Sequence, residues 1–283
     1  MRVDELLANG TTRSFEFFPP KSDEEAAVLA TTLRDLEPLK PSFVSVTYRG
    51  PTDSRQRTFD LVNEIQSEGQ LTAMAHLICV GHTEVELRDI LTNYQRNGVE
   101  NLMALGGDLP DDPSAFRGEF HYAEQLVSLA REIGDFSIGI AAHPLGHPRS
   151  PNIEGDRHYL AQKLSLADFA VTQFFFEAHQ WIALVNDLAD LGVDKPVLPG
   201  IMPVTTLSGI ANMARMGGIV PTALIARLEE ADRKGGKQAV RRAGIDAATE
   251  MGQELLDQGA PGLHFYTLNR STATREIYSQ IFP

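Results

Sequence analysis

Residues 72–105, TAMAHLICVGHTEVELRDILTNYQRNGVENLMAL, contain one complete strand–helix–strand unit. The runs Thr72–Leu77 and Asn101–Leu105 are short and almost continuously apolar, which is typical of parallel strands buried on both faces. Between them, Glu86 follows Thr83 at the spacing of a capping box, which predicts the start of a helix. Apolar side chains then recur at helical spacing at Leu87, Ile90, Leu91 and Tyr94. The stretch therefore predicts a β–α–β unit with parallel strands.

Similar apolar runs occupy the rest of the chain, in most cases spaced by about 30 residues. They are Arg13–Phe17, Ser42–Val46, Phe136–Ala142, Phe169–Phe175, Pro196–Ile201 and Gly262–Thr267. Helical patterns separate them: a second capping box pairs Ser22 with Glu25, and two later helices are predicted to end at Gly134 and Gly192. Eight strand–helix units favour an α/β fold with a closed (β/α)8 TIM-type barrel over a doubly wound sheet.

The regular spacing fails once, between the seventh and eighth strands. This stretch carries three helical patterns, a short one at Leu207–Met216, one that begins at Thr222 and a long one at Lys237–Asp257. We therefore expect extra helices between strands 7 and 8. Because no linker or low-complexity tract interrupts the pattern, residues 1–283 are predicted to form a single barrel domain.

The composition excludes several classes of protein. The chain has 283 residues, of which 42% are hydrophobic and 22% charged, as in ordinary globular proteins. A net charge of −13 argues against a nucleic-acid partner, which requires clustered Lys and Arg. The single cysteine, Cys79, excludes an internal disulfide and suits a reducing compartment. No apolar run approaches the ~20 residues of a membrane span, and MRVDELLANG lacks the apolar core of a signal peptide. We expect a cytoplasmic protein without a membrane partner.

In a barrel of this kind the active site lies at the carboxyl ends of the strands. The polar residues predicted there are Glu16, Thr47, His76, Asp108, His143, His147, Gln173, Tyr266 and Arg270. Glu16 lies among Phe15, Phe17 and Phe18, and desolvation in such a setting raises the pKa of a carboxyl group toward that of a general acid. The alternative for Glu16 is a side chain that simply points to water at the mouth.

The other polar residues give weaker predictions. Asp108 follows two glycines, so it either holds negative charge beside a cofactor or caps a turn. His143 and His147 are four residues apart, but the prolines after each of them exclude a shared helix face, and no metal site is predicted. His76 has the pattern of a hydrogen-bonded core histidine. Packing roles are predicted for Cys79, Tyr94 and Trp181. Because no GxGxxG or Walker sequence occurs, we expect no Rossmann-type dinucleotide site.

Several segments resemble, in order and over almost the whole chain, the signature blocks of the methylenetetrahydrofolate reductase family. They are SFEFFPPK at 14–21, FVSVTY at 43–48, HL at 76–77, ALGGDLP at 104–110, TQFFF at 172–176, PGIMPV at 199–204 and HFYTLNR at 264–270. The resemblance implies a (β/α)8 barrel with FAD at its carboxyl face. It also implies reduction of 5,10-methylenetetrahydrofolate to 5-methyltetrahydrofolate by NADH or NADPH, with NADH favoured.

The resemblance also implies residue roles. Glu16 matches the general acid that opens the methylene bridge, and Asp108 matches an aspartate that tunes hydride transfer beside the flavin. The expected substrate-binding residues are Gln173, Tyr266 and Arg270. The positions that match FAD contacts are Thr47, His76, Tyr122, Ala123, His147, Asp156 and Lys163.

Departures from the family pattern fall mostly on the flavin contacts. Gly106 replaces an arginine that contacts FAD, and His143 and Leu145 replace a tyrosine and an acidic residue. The stretch at residues 165–168 is shortened, and Leu207 stands where an aromatic residue commonly packs on the nicotinamide. Two arrangements follow. In one, FAD binds through the remaining contacts; in the other, hydride passes directly from the nicotinamide to the folate.

Two other functions compete with this assignment. One is a different flavin-dependent barrel oxidoreductase, such as a proline-dehydrogenase-like enzyme. The other is a non-catalytic folate- or partner-binding barrel, which the altered flavin positions support. The combination of Glu16, Asp108 and Gln173 favours an enzyme, because a binding protein has less need of two carboxyl groups beside an amide.

Overall fold

The computed structural model describes residues 1–48, 52–69, 71–108 and 118–282. Within these residues, nine parallel strand segments form one sheet. They are β1 Thr12–Phe17, β2 Phe43–Val46, β3 Ala73–Ile78, β4 Asn101–Leu105, β5 Ser137–Ala142, β6 Phe169–Thr172, β7 Val197–Leu198, β8 Gly200–Ile201 and β9 Gly262–Tyr266.

The sheet closes through β7 and β8, which are two halves of one barrel strand. Val197–Leu198 pairs with β6, whereas Gly200–Ile201 pairs with β9, and only Pro199 lies between the halves. β9 in turn pairs with β1, so the segments form a closed (β/α)8 TIM-type barrel. Because proline has no N–H to donate, it interrupts the ladder at this point. The predicted fold is confirmed, and Pro196–Ile201 is the seventh strand of the barrel.

One predicted strand extends too far. The run Phe169–Phe175 was expected to be extended throughout, but β6 ends at Thr172 and Gln173 lies just beyond it. The Gln173 side-chain oxygen accepts a hydrogen bond from the Phe174 N–H, which takes the chain out of the ladder. Phe174 then packs in a separate buried cluster with Met202 and Val204. An apolar run alone does not reveal which core its side chains join.

The helices of the described residues are α1 Val3–Ala8, α2 Asp23–Leu36, α3 Thr52–Glu68, α4 Glu84–Arg96, α5 Ala123–Ile133, α6 Ile153–Leu166, α7 Ala178–Asp190, α8 Leu207–Arg215, α9 Thr222–Asp257 and α10 Thr272–Ile281. Among them, α1 precedes β1, α10 follows β9 and the other helices lie between strands. α9 is bent at Gly235 and Gly236, and Gly236 has a φ of 62°, which favours glycine. α9 therefore consists of two helical halves. Together with α8 they confirm the three helical patterns predicted between the seventh and eighth barrel strands, which are β7–β8 and β9 in the structure.

Helix α1 closes the amino-terminal end of the barrel. The Val3 N–H donates to Asn101 Oδ1 at 2.8 Å, and the Asp4 N–H donates to Ser137 Oγ at 3.0 Å. Val3 and Leu7 pack against a buried layer that includes Phe43 inside the barrel. The helix is too short to be stable alone, so local sequence gives little sign of it. With this end covered, the carboxyl end is left for chemistry.

The predicted packing roles are confirmed. Tyr94 and Trp181 are buried between barrel and helices, and Trp181 Nε1 donates to the Val197 carbonyl at 3.0 Å. Cys79 is buried, and burial raises the pKa of its thiol to about 11, so it is a poor nucleophile. Thr83 and Glu86 form both bonds of the capping box. At the second predicted capping box, the Ser22 hydroxyl accepts from the Glu25 N–H. The Glu25 carboxylate, however, accepts from the Lys21 N–H and not from that of Ser22.

Candidate active site

Glu16 is the penultimate residue of β1, and its side chain lies inside the barrel mouth. The residue is only 9% exposed. Its Oε2 atom lies 3.4 Å from His76 Nε2 and 3.5 Å from His264 Nε2. The carboxyl group therefore faces two buried imidazoles and not bulk water, which removes the alternative of a solvent-directed side chain.

His264, on β9, is a site residue that the sequence analysis missed. Its Nδ1 lies 2.8 Å from Ser14 Oγ, and its ring stacks on Phe43 and meets the Tyr266 ring edge-on. A signal was present in the sequence, because side chains two apart on a strand share a face. Ser14 shares a face with Glu16, His264 shares one with Tyr266, and β1 pairs with β9 in register.

His76, on β3, faces the same carboxylate oxygen from the other side. Burial lowers the pKa of its imidazole, whereas the charge of Glu16 raises it by less. Among the described residues its Nε2 completes no hydrogen bond, although Glu16 is within 3.4 Å. The prediction of a core histidine is therefore incomplete, since His76 is part of the Glu16 surroundings.

Tyr266 and Gln173 lie at the ends of β9 and β6. The Tyr266 hydroxyl donates to the Thr172 carbonyl at 2.7 Å, which ties the end of β9 to the end of β6. Burial and the charge of Glu16 raise the pKa of Tyr266 well above its ordinary value, so it stays a neutral phenol. The Gln173 N–H donates to the Ala142 carbonyl at 2.8 Å, which fixes its backbone beside β5.

Asp108 lies at the end of β4 with its side chain exposed. Gly107 before it has a φ of 87°, and a Cβ there would stand 3.2 Å from Ile78 Cβ, so the turn requires glycine. Asp108 is close enough to His147 for its charge to raise the pKa of that imidazole, although burial and Arg149 lower the same pKa more strongly. The mouth thus holds one exposed and one buried carboxyl group.

The loop between β5 and α6 is held by a buried ion pair. Asp156 Oδ1 accepts from the His147 N–H and from Ser150 Oγ, both at 2.9 Å, and its Oδ2 accepts from Arg157. Arg157, also missed from the sequence, donates to the carbonyls of His143 and Pro144. This network fixes the path of residues 143–150.

The same loop brings His143 and His147 together, although no helix places them on one face. Their ring centroids are 4.7 Å apart in an edge-on contact. Burial lowers the pKa of His143 to about 4, with smaller contributions from His147 and Lys163, so its ring is neutral at pH 7. Lys163 is tied to the Ala141 carbonyl by a 3.0 Å bond, and burial lowers the pKa of its ammonium group.

Gly106 leaves a space that another loop fills. A Cβ at this position would lie 3.8 Å from Arg149 Nη2 and 3.9 Å from the Ala123 N atom. A guanidinium therefore lies beside the position where the family has an arginine, but it comes from the β5–α6 loop. Ala123 is the buried first residue of α5, and Tyr122 before it is 65% exposed.

The two remaining predicted residues follow β2 and β9, the two strands that flank β1. Thr47 follows β2, and its Oγ1 is buried without a hydrogen-bond partner among the described residues. Arg270 is exposed after β9, where its N–H bonds to the Thr267 carbonyl. The Asn269 side chain bonds both the N–H and the carbonyl of Phe18, which joins the last mouth loop to the first.

The described residues contain neither a membrane-spanning helix nor a cluster of metal ligands. No helix in this part of the chain is long and apolar enough to cross a membrane. Across the same residues no group of three or more His, Cys, Asp or Glu has the arrangement of a metal site. The absence of a metal stays a prediction for the whole chain.

Comparison with known proteins identifies the family. A family model described as methylenetetrahydrofolate reductase matches residues 2–282. The chain belongs to the methylenetetrahydrofolate reductase family. The 5,10-methylenetetrahydrofolate reductases of Salmonella typhimurium and Escherichia coli are each 35% identical to it, over 93% of this chain and 88% of theirs. A probable methylenetetrahydrofolate reductase (NADH) of Oryza sativa is 33% identical over 95% of this chain and 48% of its own length. The predicted resemblance and enzyme class are confirmed, and a proline-dehydrogenase-like assignment is excluded.

Solved structures support the fold alone. An uncharacterized protein from Clostridium thermocellum, which binds two copies of 5-methyl-5,6,7,8-tetrahydrofolic acid, has a TM-score of 0.66 at 12% identity over 98% of this chain and 96% of that one. Dihydropteroate synthase from Xanthomonas albilineans, in complex with 7,8-dihydropteroate, has a TM-score of 0.51 at 12% identity, covering 95% and 91%.

Proposed function

We propose that the protein reduces 5,10-methylenetetrahydrofolate to 5-methyltetrahydrofolate with NADH as the favoured electron donor and Glu16 as the general acid. The observation that carries the proposal is the placement of Glu16, a nearly buried carboxyl group held between two imidazoles at the mouth of a barrel of this family. The rice relative, whose name specifies NADH, supports this donor over NADPH.

The chemistry requires one proton and one hydride. Glu16 donates its proton to N10 of the folate as the bond from N10 to the methylene carbon breaks, which leaves a positively charged iminium at N5. A hydride from C4 of the nicotinamide then adds to the methylene carbon and gives the N5-methyl product and oxidised nicotinamide. Glu16 regains a proton from solvent. A positioned acid of this kind contributes about 10²–10⁴-fold to a rate.

The other residues at the mouth are assigned to binding and electrostatics. Asp108 is exposed at the end of β4, where its negative charge would stabilise the iminium and the nicotinamide cation that form during the reaction. Gln173 and Arg270 follow β6 and β9 at the barrel mouth, and both would bind folate there. Tyr266 would contribute its ring, because its hydroxyl is bonded to Thr172.

Two of the seven residues expected to hold FAD, Asp156 and Lys163, are committed to bonds within the protein. Asp156 is buried, and both of its oxygens accept hydrogen bonds from the protein. Lys163 is bonded to the Ala141 carbonyl. In the shortened stretch, Asp168 accepts from Arg131 and from the Ile138 N–H. Exposed Leu145 offers no polar group at the mouth. The Thr47 hydroxyl and the Arg149 guanidinium could still bind a ligand. Asp156 and Lys163, in contrast, are already bonded to the protein.

These contacts support direct transfer of hydride from the nicotinamide to the folate iminium. In that arrangement the nicotinamide lies against the folate and no flavin intervenes. Glu16 has the same role with or without flavin, so the assignment of the acid does not depend on this choice.

The test is NADH oxidation that depends on methylenetetrahydrofolate, measured anaerobically with flavin-stripped protein and no added flavin. We expect sustained turnover, with 5-methyltetrahydrofolate formed in a 1:1 ratio to oxidised NADH, because each reduction consumes one hydride. Turnover that appears only after FAD is added would overturn direct transfer and keep the reductase. No turnover with or without FAD would favour the non-catalytic folate-binding barrel.

A second prediction concerns Asp108. Asp108→Asn keeps the shape of the side chain but removes its charge, so kcat is expected to fall about tenfold, the effect of roughly 1.4 kcal/mol. The melting temperature should stay within about 1 °C of the wild type, because an exposed side chain contributes little packing. Steady-state kinetics and thermal denaturation check both expectations. A large loss of thermal stability at unchanged kcat would assign Asp108 to the turn.

A further inference from the structure

We propose that Ser14 and His264 are positioning residues that keep one oxygen of Glu16 as a hydrogen-bond acceptor, so that the other oxygen carries the transferable proton. The inference rests on the proposed role of Glu16 as general acid. It concerns a line of three groups, the Ser14 hydroxyl, the His264 imidazole and the Glu16 carboxyl, which crosses from β1 to β9 and back.

The line is set by the register of the closed barrel. Ser14 pairs with His264 and Glu16 pairs with Tyr266, so the His264 ring lies between two side chains of β1. Ser14 and His264 are both essentially inaccessible to solvent. Stacking on Phe43 and the edge contact with Tyr266 restrict the ring plane. The imidazole therefore has little freedom to turn away from Glu16.

The ionised form of Glu16 selects the tautomer of His264. A carboxylate only accepts hydrogen bonds, so the Nε2 atom that faces it must carry a hydrogen, and Nδ1 then accepts from the Ser14 hydroxyl 2.8 Å away. A neutral imidazole that accepts at Nδ1 carries its hydrogen on Nε2. That hydrogen points to Glu16 Oε2, 3.5 Å away.

This arrangement gives the two carboxyl oxygens different roles. Oε2 accepts from His264 whether Glu16 is neutral or ionised, so a proton on Glu16 is directed to Oε1. When the proton leaves for the folate nitrogen, the bond from His264 becomes charge-assisted and therefore stronger. An interaction that strengthens as the reaction proceeds raises kcat and not merely affinity. No change in the number of protons on Ser14 or His264 is needed.

The chain offers a matched pair of substitutions at His264. In His264→Gln the side-chain amide can reach the place of Nε2 and donate to Glu16. In His264→Asn the shorter amide can reach only the place of Nδ1 and the Ser14 hydroxyl. His82→Gln is the control, since His82 is an equally buried histidine bonded to a hydroxyl, with Nε2 2.8 Å from the Tyr48 oxygen.

The readout is the pH profile of kcat, because a general acid acts only while it is protonated and activity falls as pH rises. The titratable groups that face Glu16 among the described residues are His76 on β3 and His264 and Tyr266 on β9. Loss of the Nε2 donor destabilises the carboxylate and raises the pKa of Glu16. The descending limb of the profile, where kcat falls as Glu16 loses its proton, should therefore move to higher pH, and the maximum kcat should fall.

We expect His264→Asn to lower the maximum kcat about 30-fold and to move the descending limb upward by about one pH unit. His264→Gln should retain most of the rate and the limb of the wild type. Ser14→Ala, which removes the donor to Nδ1, should shift the limb in the same direction by less. His82→Gln should lower the melting temperature without moving the limb.

Equal losses in the Gln and Asn variants, with unmoved limbs and parallel losses of melting temperature, would make His264 a packing residue and overturn the proposal. If His264→Asn fails to fold, Ser14→Ala decides the question: an unchanged descending limb in its pH profile of kcat would overturn the proposal. Failure of the proposed function is distinguishable, because it would show as absent methylenetetrahydrofolate reduction in the wild type or as an active Glu16→Gln variant.

Discussion

Glu16→Gln is expected to lower the reduction of methylenetetrahydrofolate by about 10³-fold while folate binding stays within about threefold of the wild type. Glutamine has the shape of glutamate and can still accept from His264 through its side-chain oxygen, but it has no acidic proton to give to N10. The iminium then forms only by protonation from water. Anaerobic single-turnover kinetics would measure the rate, and titration with 5-methyltetrahydrofolate would measure binding.

Glu24→Gln provides the control for loss of one negative charge in the same part of the chain. Glu24 lies in the exposed first turn of α2, away from the His76 and His264 contacts, so its substitution should leave turnover unchanged. If Glu16→Gln kept more than about a tenth of the wild-type rate, the general acid would have to be another group. A parallel loss of folate binding would instead assign Glu16 to substrate contact.

Gly244→Ala is expected to destabilise the protein by about 3 kcal/mol, near the upper end of overpacking costs. Gly244 lies in the second half of α9, where a Cβ would overlap the backbone carbonyl oxygen of Val204. A carbonyl on the chain that follows β8 cannot rotate away as a side chain does. For a chain of this size we expect the melting temperature to fall by roughly 6 °C, measured by calorimetry.

Gly155→Ala is the matched control for a glycine in a helix. A Cβ at Gly155 would meet only side-chain atoms, the nearest being Asn152 Oδ1 at 3.2 Å, so its effect should stay within about 1 kcal/mol. A Gly244→Ala variant as stable as the wild type would show that α9 can move off the Val204 segment. That segment follows β8 directly, so such movement would alter the barrel mouth.

Local sequence determined the elements of the barrel because strand burial and helix capping act between neighbouring residues. Asn101–Leu105 was predicted with its observed bounds, and the capping box at Thr83 and Glu86 forms as expected. The helices between strands 7 and 8 were also visible as separate patterns. The predicted strand bounds were wrong where packing against a distant segment decides them. β6 ends at Thr172, and Phe174 packs in another cluster.

The site was only partly visible, since single polar residues at strand ends do not reveal their partners. Glu16 and His76 were found as separate candidates, whereas their contact with each other came from the structure. Asp156 and Lys163 were expected at a cofactor, but Asp156 accepts bonds that hold the β5–α6 loop and Lys163 bonds to β5. Arg149 beside Gly106 has no local signal, because the two residues come from different loops.

The sequence by itself determined the strand–helix repeat and, at the carboxyl ends of the strands, offered Glu16 as the candidate acid. Only the tertiary structure decided which groups face that acid. Ser14 and His264 are 250 residues apart in the chain, and His264 and Glu16 are 248 apart. Their contact depends on the register with which the last strand pairs with the first when the barrel closes. That register is fixed by the packing of the whole interior, so no local stretch of sequence contains it.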